Sequence, residues 1–217
     1  LQVVAVRALA QAAGGKLSLP DLKTLRQFTR HPLMQREYAL QLAGRDGDES
    51  FDLLFDLAET MRGGDRTLLE ALGIAAEGRE SRLFLELDAA FGDSPLGWSG
   101  RMATIAWRLH PPESVPGFTQ RALSPRLSAD VRKKSIDAIA FVGTRAAGEA
   151  MLTIAQAGPE DLRGYAAWWI RHRAGNDWRG FGLAEELETG DFGAAELVYE
   201  SDVVRSGLID VSPPTGS

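Results

Sequence analysis

The chain has 217 residues, 44% of them hydrophobic and 25% charged, a composition able to bury a continuous core. Its net charge of −6 and pI of about 5.2 set the surface against polyanions, so general binding to nucleic acid or to an acidic membrane surface is not expected. The absence of cysteine excludes disulfides, thiolate metal sites, a cysteine nucleophile and a c-type haem attachment within these residues, and no apolar run approaches the roughly 18 residues of a membrane helix.

The chain opens inside an amphipathic pattern, Leu1, Val4, Ala5, Ala8 and Leu9, without an initiating Met, and reads as a piece of a longer protein. A first helix is expected to run to Ala13, where Gly14-Gly15 stop it, and Ser18 with Asp21 three residues on predicts the N-cap of a second helix ending near Arg30. His31-Pro32 breaks the chain, because the residue before proline is driven out of the helical region. Helices are then predicted over residues 33–45 and 51–61, the latter burying Phe51, Leu54, Phe55, Ala58 and Met61 on one face. A third pair spans 66–77 and 81–91, with a stripe of Leu83, Phe84, Leu87, Ala90 and Phe91. After the turn-rich loop 92–97 come helices over 98–109 and, interrupted by Pro116-Gly117, over 115–123. Ser128 and Thr144 cap the two helices of a fifth pair. Pro159 opens a sixth, which runs through Trp168-Trp169-Ile170 and closes with a short helix over 178–187.

These pairs recur. Taking Leu9, Leu40, Leu72, Ala106, Ile139 and Trp168 as markers, the steps are 31, 32, 34, 33 and 29 residues. A fixed period in the range of roughly 20 to 50 residues predicts a solenoid. The expected fold is therefore all-α: an α-α superhelix of about six antiparallel helix pairs over residues 1–188, with Leu9, Leu40, Leu72, Ile105, Ile139 and either Trp168 or Trp169 lining its core. Residues 189–217 form a separate C-terminal extension. There Glu196-Leu197-Val198-Tyr199-Glu200-Ser201 and Ser206-Gly207-Leu208-Ile209-Asp210-Val211 read as a short β segment, folded onto the sixth pair over Trp178 and Phe181 or opening a following β-domain.

Chemistry-bearing motifs are few. His31 and His110 precede prolines at helix ends and read as capping residues; with His172 they make no metal-ligand spacing, so no metal and no cofactor is expected. Gly97-Trp98-Ser99-Gly100 lacks the second glycine of a nucleophile elbow and reads as a turn before a helix. The acidic loop 45–50 lacks the register of a calcium loop. One segment stands apart, residues 165–179. Its Trp168, Trp169, Arg171, Arg173, Trp178 and Arg179 form the candidate interaction surface, since aromatic and Arg side chains dominate recognition surfaces. Arg132-Lys133-Lys134, one pair earlier, extends the same basic strip. Trp168 and Trp169 point about 100° apart on a helix, so one must face the core and the other away from it.

The six pairs, with Ala-Leu or Ala-Ile at each first-helix core, resemble short bacterial HEAT-like (armadillo-like) repeats. The stretch from His110-Pro111-Pro112-Glu113 through Ala166-Ala167-Trp168-Trp169-Ile170-Arg171 to Asn176-Asp177-Trp178 is similar to the HEAT region of planctomycete-type membrane-bound-dehydrogenase-like proteins. In that family a β-propeller precedes the repeats and a cytochrome c domain follows. The resemblance implies a non-catalytic spacer or interaction scaffold, partnered by neighbouring domains or another protein, in an exported chain and hence a periplasmic or extracellular location. The tail is similar to the first strands of a carbohydrate-binding β-sandwich sometimes fused there. The rival is an enzyme: alkylpurine DNA glycosylases are also HEAT-like, and Trp168, Trp169, Arg171 and Asp177 are the comparable cluster. The acidic net charge speaks against it, because a DNA enzyme needs cations enough to neutralise several phosphates.

Overall fold

The computed structural model describes residues 2–28, 30–61, 65–91 and 94–189. The described residues form twelve α-helices and no strand, so they are all-α. The segment expected to form strands lies outside them. Two compact units divide the chain, Leu1–Ser114 and Val115–Ser217.

The first unit holds α1 (Gln2–Ala12), α2 (Leu19–Arg26), α3 (Pro32–Leu42), α4 (Asp48–Thr60), α5 (Arg66–Ala75), α6 (Glu80–Phe91) and α7 (Gly100–Leu109). Local chemistry sets these boundaries. Gly14 and Gly15 take φ of 84° and 110°, and their amides bond to the carbonyls of Gln11 and Ala10 at 3.1 and 2.8 Å, a glycine stop that a side chain would strain. Ser18 and Asp21 form the expected reciprocal capping box on α2. Asp65 caps α5 and Ser99 caps α7, accepting from the amides of Leu68 at 3.0 Å and Met102 at 3.1 Å. Ser99 thus serves as a helix cap.

The helices pack by parity: α1 on α3, α3 on α5 and α5 on α7, while α2 meets α4 and α4 meets α6. Side chains link elements about one period apart. Arg45 bonds to the carbonyls of Gln41 and of Leu17, and Arg79, 34 residues further on, repeats the device with the carbonyl of Ala75 at 2.6 Å and the Ser50 hydroxyl at 3.1 Å. Each guanidinium so satisfies a carbonyl near the end of its own helix and ties it to a residue about one period earlier, Leu17 before α2 or Ser50 in the first turn of α4.

The core is built from Leu22, Tyr38, Leu42, Phe51, Leu54, Leu57, Leu68, Leu72, Leu83 and Leu87, all almost fully buried. Leu72 and Ile105 are buried as expected. Leu9 is not: it is 61% exposed, and Val6 and Ala10 face inward instead. Leu40 is likewise only half-buried, beside buried Tyr38, Ala39 and Leu42. A one-residue offset in aligning the markers rotates the chosen side chain by about 100° around the helix, enough to move it off the core face. The same edge effect leaves Ala90 exposed and Phe55 half-buried.

The second unit holds α8 (Val115–Leu123), α9 (Ala129–Ala140), α10 (Arg145–Ala157), α11 (Glu160–Ala174) and α12 (Leu183–Thr189). Pro116 does not interrupt α8, because in the first turn its missing N–H is not needed. Ser128 and Thr144 cap α9 and α10 through the amides of Val131 and Ala147, both at 3.3 Å. Parity again orders the packing, α8 on α10, α10 on α12 and α9 on α11. The closing helix begins at Leu183, not Trp178; residues 175–182 form turns in which Gly180 and Gly182 take φ of 84° and 74°.

Candidate functional site

The aromatic segment lies on α11 and the turn after it, and its chemistry is set by α9. Along α11, Tyr165, Trp168 and His172 follow at i, i+3 and i+7, one helical face. Their rings are nearly parallel: Tyr165 and Trp168 lie 6.4 Å apart at 4°, and Trp168 and His172 4.9 Å apart at 8°. Trp169 meets this pile edge-on, 4.9 Å from Trp168 at 74°, and meets Phe141 of the turn after α9 at 5.7 Å. Offset-stacked and edge-to-face geometries are those that aromatic quadrupoles favour.

Beneath the rings is a buried carboxylate. Asp137, only 8% exposed, accepts a hydrogen bond from the Tyr165 hydroxyl and another from Trp169 Nε1 at 3.0 Å through the same Oδ1. Burial pushes its carboxyl above the usual carboxylate range, a rise opposed by those two bonds and by the charge of Lys133. Burial and the Asp137 charge likewise raise the Tyr165 hydroxyl. Lys133 completes the arrangement with its ammonium 4.6 Å from the centre of the Tyr165 ring, a cation–π contact.

The sequence-derived residues therefore separate. Trp169 and Trp178 are interior, 5% and 1% exposed; the indole N–H of Trp178 donates to the carbonyl of Val142 at 3.0 Å. They support the face from behind. Trp168 is half-buried, and Arg171 and Arg179 are exposed. The Arg173 side chain is 11% exposed and paired with Asp177, while Arg179 Nη2 returns to the carbonyl of Gly175 at 3.3 Å. The outward chemistry is thus Lys133, Trp168, Arg171 and His172. Asp137 went unnoticed as a functional residue; its signal was one charge inside the apolar run Ile136-Asp137-Ala138-Ile139-Ala140.

The remaining histidines cap helices. His31 Nδ1 accepts the amide of Leu33 at 3.2 Å at the start of α3, so it serves a helix N-terminus instead of terminal carbonyls. His110 closes α7 in the left-handed conformation, φ 50°. In the first unit a separate pocket of about 170 Å³ is lined by Met61, Asp65, Arg66, Leu69, Arg101 and Ile105. Its Arg101 is engaged, donating at 2.8 Å to the Glu59 carbonyl and lying 4.9 Å from the centre of the Phe91 ring. Among the described residues no group of three or more His, Asp or Glu is placed to hold a metal ion, and no helix is long and apolar enough to cross a membrane.

Comparison of the chain with protein-family models, with curated proteins and with solved structures returns no match.

Proposed function

We propose that the chain is a HEAT-like α-α solenoid and works as a non-catalytic interaction scaffold, a spacer within a larger exported dehydrogenase-like protein. The observation that carries this reading is the packing by parity within each unit, with side-chain ties at about one sequence period, the arrangement repeat proteins use to share one core among neighbours. The Asp137 cluster supports it as well. Its Oδ1 accepts from both Tyr165 and Trp169, which fastens α11 to α9.

The glycosylase alternative draws on Trp168, Trp169, Arg171 and Asp177. Against it, Trp169 is buried and Asp177 is engaged by Arg173, whereas a catalytic carboxylate must reach an extruded base. Two observations test the proposal. The coding sequence on either side should specify a β-propeller before this piece and a Cys-x-x-Cys-His motif after it; neither being present would overturn the spacer role. The purified chain should release no base from alkylated DNA, and release that disappears in Asp177→Asn would establish the enzyme instead.

A further inference from the structure

The pocket of the first unit has an apolar interior and two arginines in its wall. It opens where the first turns of α5 and α7, which pack on one another, meet Met61 at the end of α4. Arg66 and Leu69 stand at i and i+3 on α5, and Arg101, Thr104 and Ile105 at i, i+3 and i+4 on α7, so each helix turns one face toward it. Met61, Leu69 and Ile105 are buried and form its apolar floor. Its volume of about 170 Å³ compares with the ~150 Å³ of an apolar cavity that takes up benzene. One ring or one branched chain fills it.

Charge selects among such ligands. Arginine lays its aliphatic stem along apolar surface and keeps its guanidinium in water, so Arg66 and Arg101 make the walls apolar and the mouth cationic. Arg101 Nη1 donates to the carbonyls of Glu59 at 2.8 Å and Met61 at 3.4 Å; these are neutral acceptors, and no carboxylate among the described residues pairs with it. Arg66 is exposed and has no hydrogen bond or ion pair among the described residues. Asp65 is the one carboxylate of the described lining. Its charge is already engaged, accepting from the Thr67 hydroxyl at 2.8 Å and the Leu68 amide at 3.0 Å, bonds that hold its carboxyl below the usual carboxylate range. The two guanidinium groups therefore face a ligand with their charge in excess, and a planar carboxylate is the group their geometry matches.

We propose that this pocket binds a small monocarboxylate, its ring or branched chain against Met61, Leu69 and Ile105 and its carboxylate at the mouth with Arg66 and Arg101. The inference concerns the first unit alone and is independent of the spacer role.

The test is a titration of the full chain with phenylacetate, with its neutral analogue phenylacetamide and with the cation 2-phenylethylammonium, read from the methyl resonances of Met61, Leu69 and Ile105. Phenylacetate should shift all three in a saturable way, the amide should bind roughly fivefold more weakly, and the cation more weakly still. Arg66→Gln, at the exposed first position of α5, should bring phenylacetate down toward the amide while leaving the amide unchanged. Thr104→Phe, at an exposed position of the wall, should fill the mouth and abolish the shifts of all three compounds. Unchanged circular dichroism in both variants keeps the comparison on folded protein. No saturable shift with phenylacetate, equal binding of the three compounds, or shifts that persist in Thr104→Phe would each overturn the proposal.

Discussion

Asp137 is the residue on which the ordering of the aromatic cluster turns. Replacing it by Leu leaves the Tyr165 hydroxyl and the Trp169 N–H buried without an acceptor, at about 1–3 kcal/mol for each group, so Asp137→Leu should lower the urea midpoint sharply. Asp137→Asn keeps an acceptor in place and removes a charge from a desolvated site, and should stay within about 1 kcal/mol of the parent. The pH dependence follows from the raised carboxyl. In the native state Asp137 binds its proton at higher pH than in the unfolded chain, so its contribution to stability is largest below the ordinary carboxylate value and is lost as pH rises through the native one. Stability curves measured by urea across acidic pH should therefore differ between parent and Asp137→Asn by a component falling with pH in the parent. Parallel curves would show that Asp137 ionises normally.

At the scale of elements, the caps were legible and the rotations were not. Ser18, Ser128 and Thr144 announce helix starts because a short polar side chain reaching an orphan amide is a local matter, settled within three residues. Which face of a helix is buried depends on its neighbours, and an alignment of markers resolved to one residue misplaces Leu9 and Leu40 by a third of a turn. The same limit explains the site. Sequence density drew attention to Trp169 and Trp178, yet only tertiary contacts show that Asp137 and Val142 hold them inside. Two further substitutions belong here. A Cβ on Gly158 would stand 2.3 Å from the carbonyl oxygen of Ile154, so Gly158→Ala must distort the end of α10 and is expected to cost on the order of 1–3 kcal/mol in denaturant unfolding. Leu72→Asp places an unpaired charge in a fully buried position and should abolish cooperative unfolding. A melting temperature within a degree or two of the parent would show that α5 does not use that face for packing.

At the scale of the molecule, the central claim is the proposed repeat, in which each helix pair shares its core with its neighbours in the same unit. Within the first unit α5 packs on both α3 and α7, so a lesion in α5 should loosen helices a full period away in sequence. Native-state hydrogen exchange of Leu72→Ala against the parent measures this most directly. The account predicts reduced protection in α3 and α7 as well as in α5, and a loss confined to α5 would contradict it.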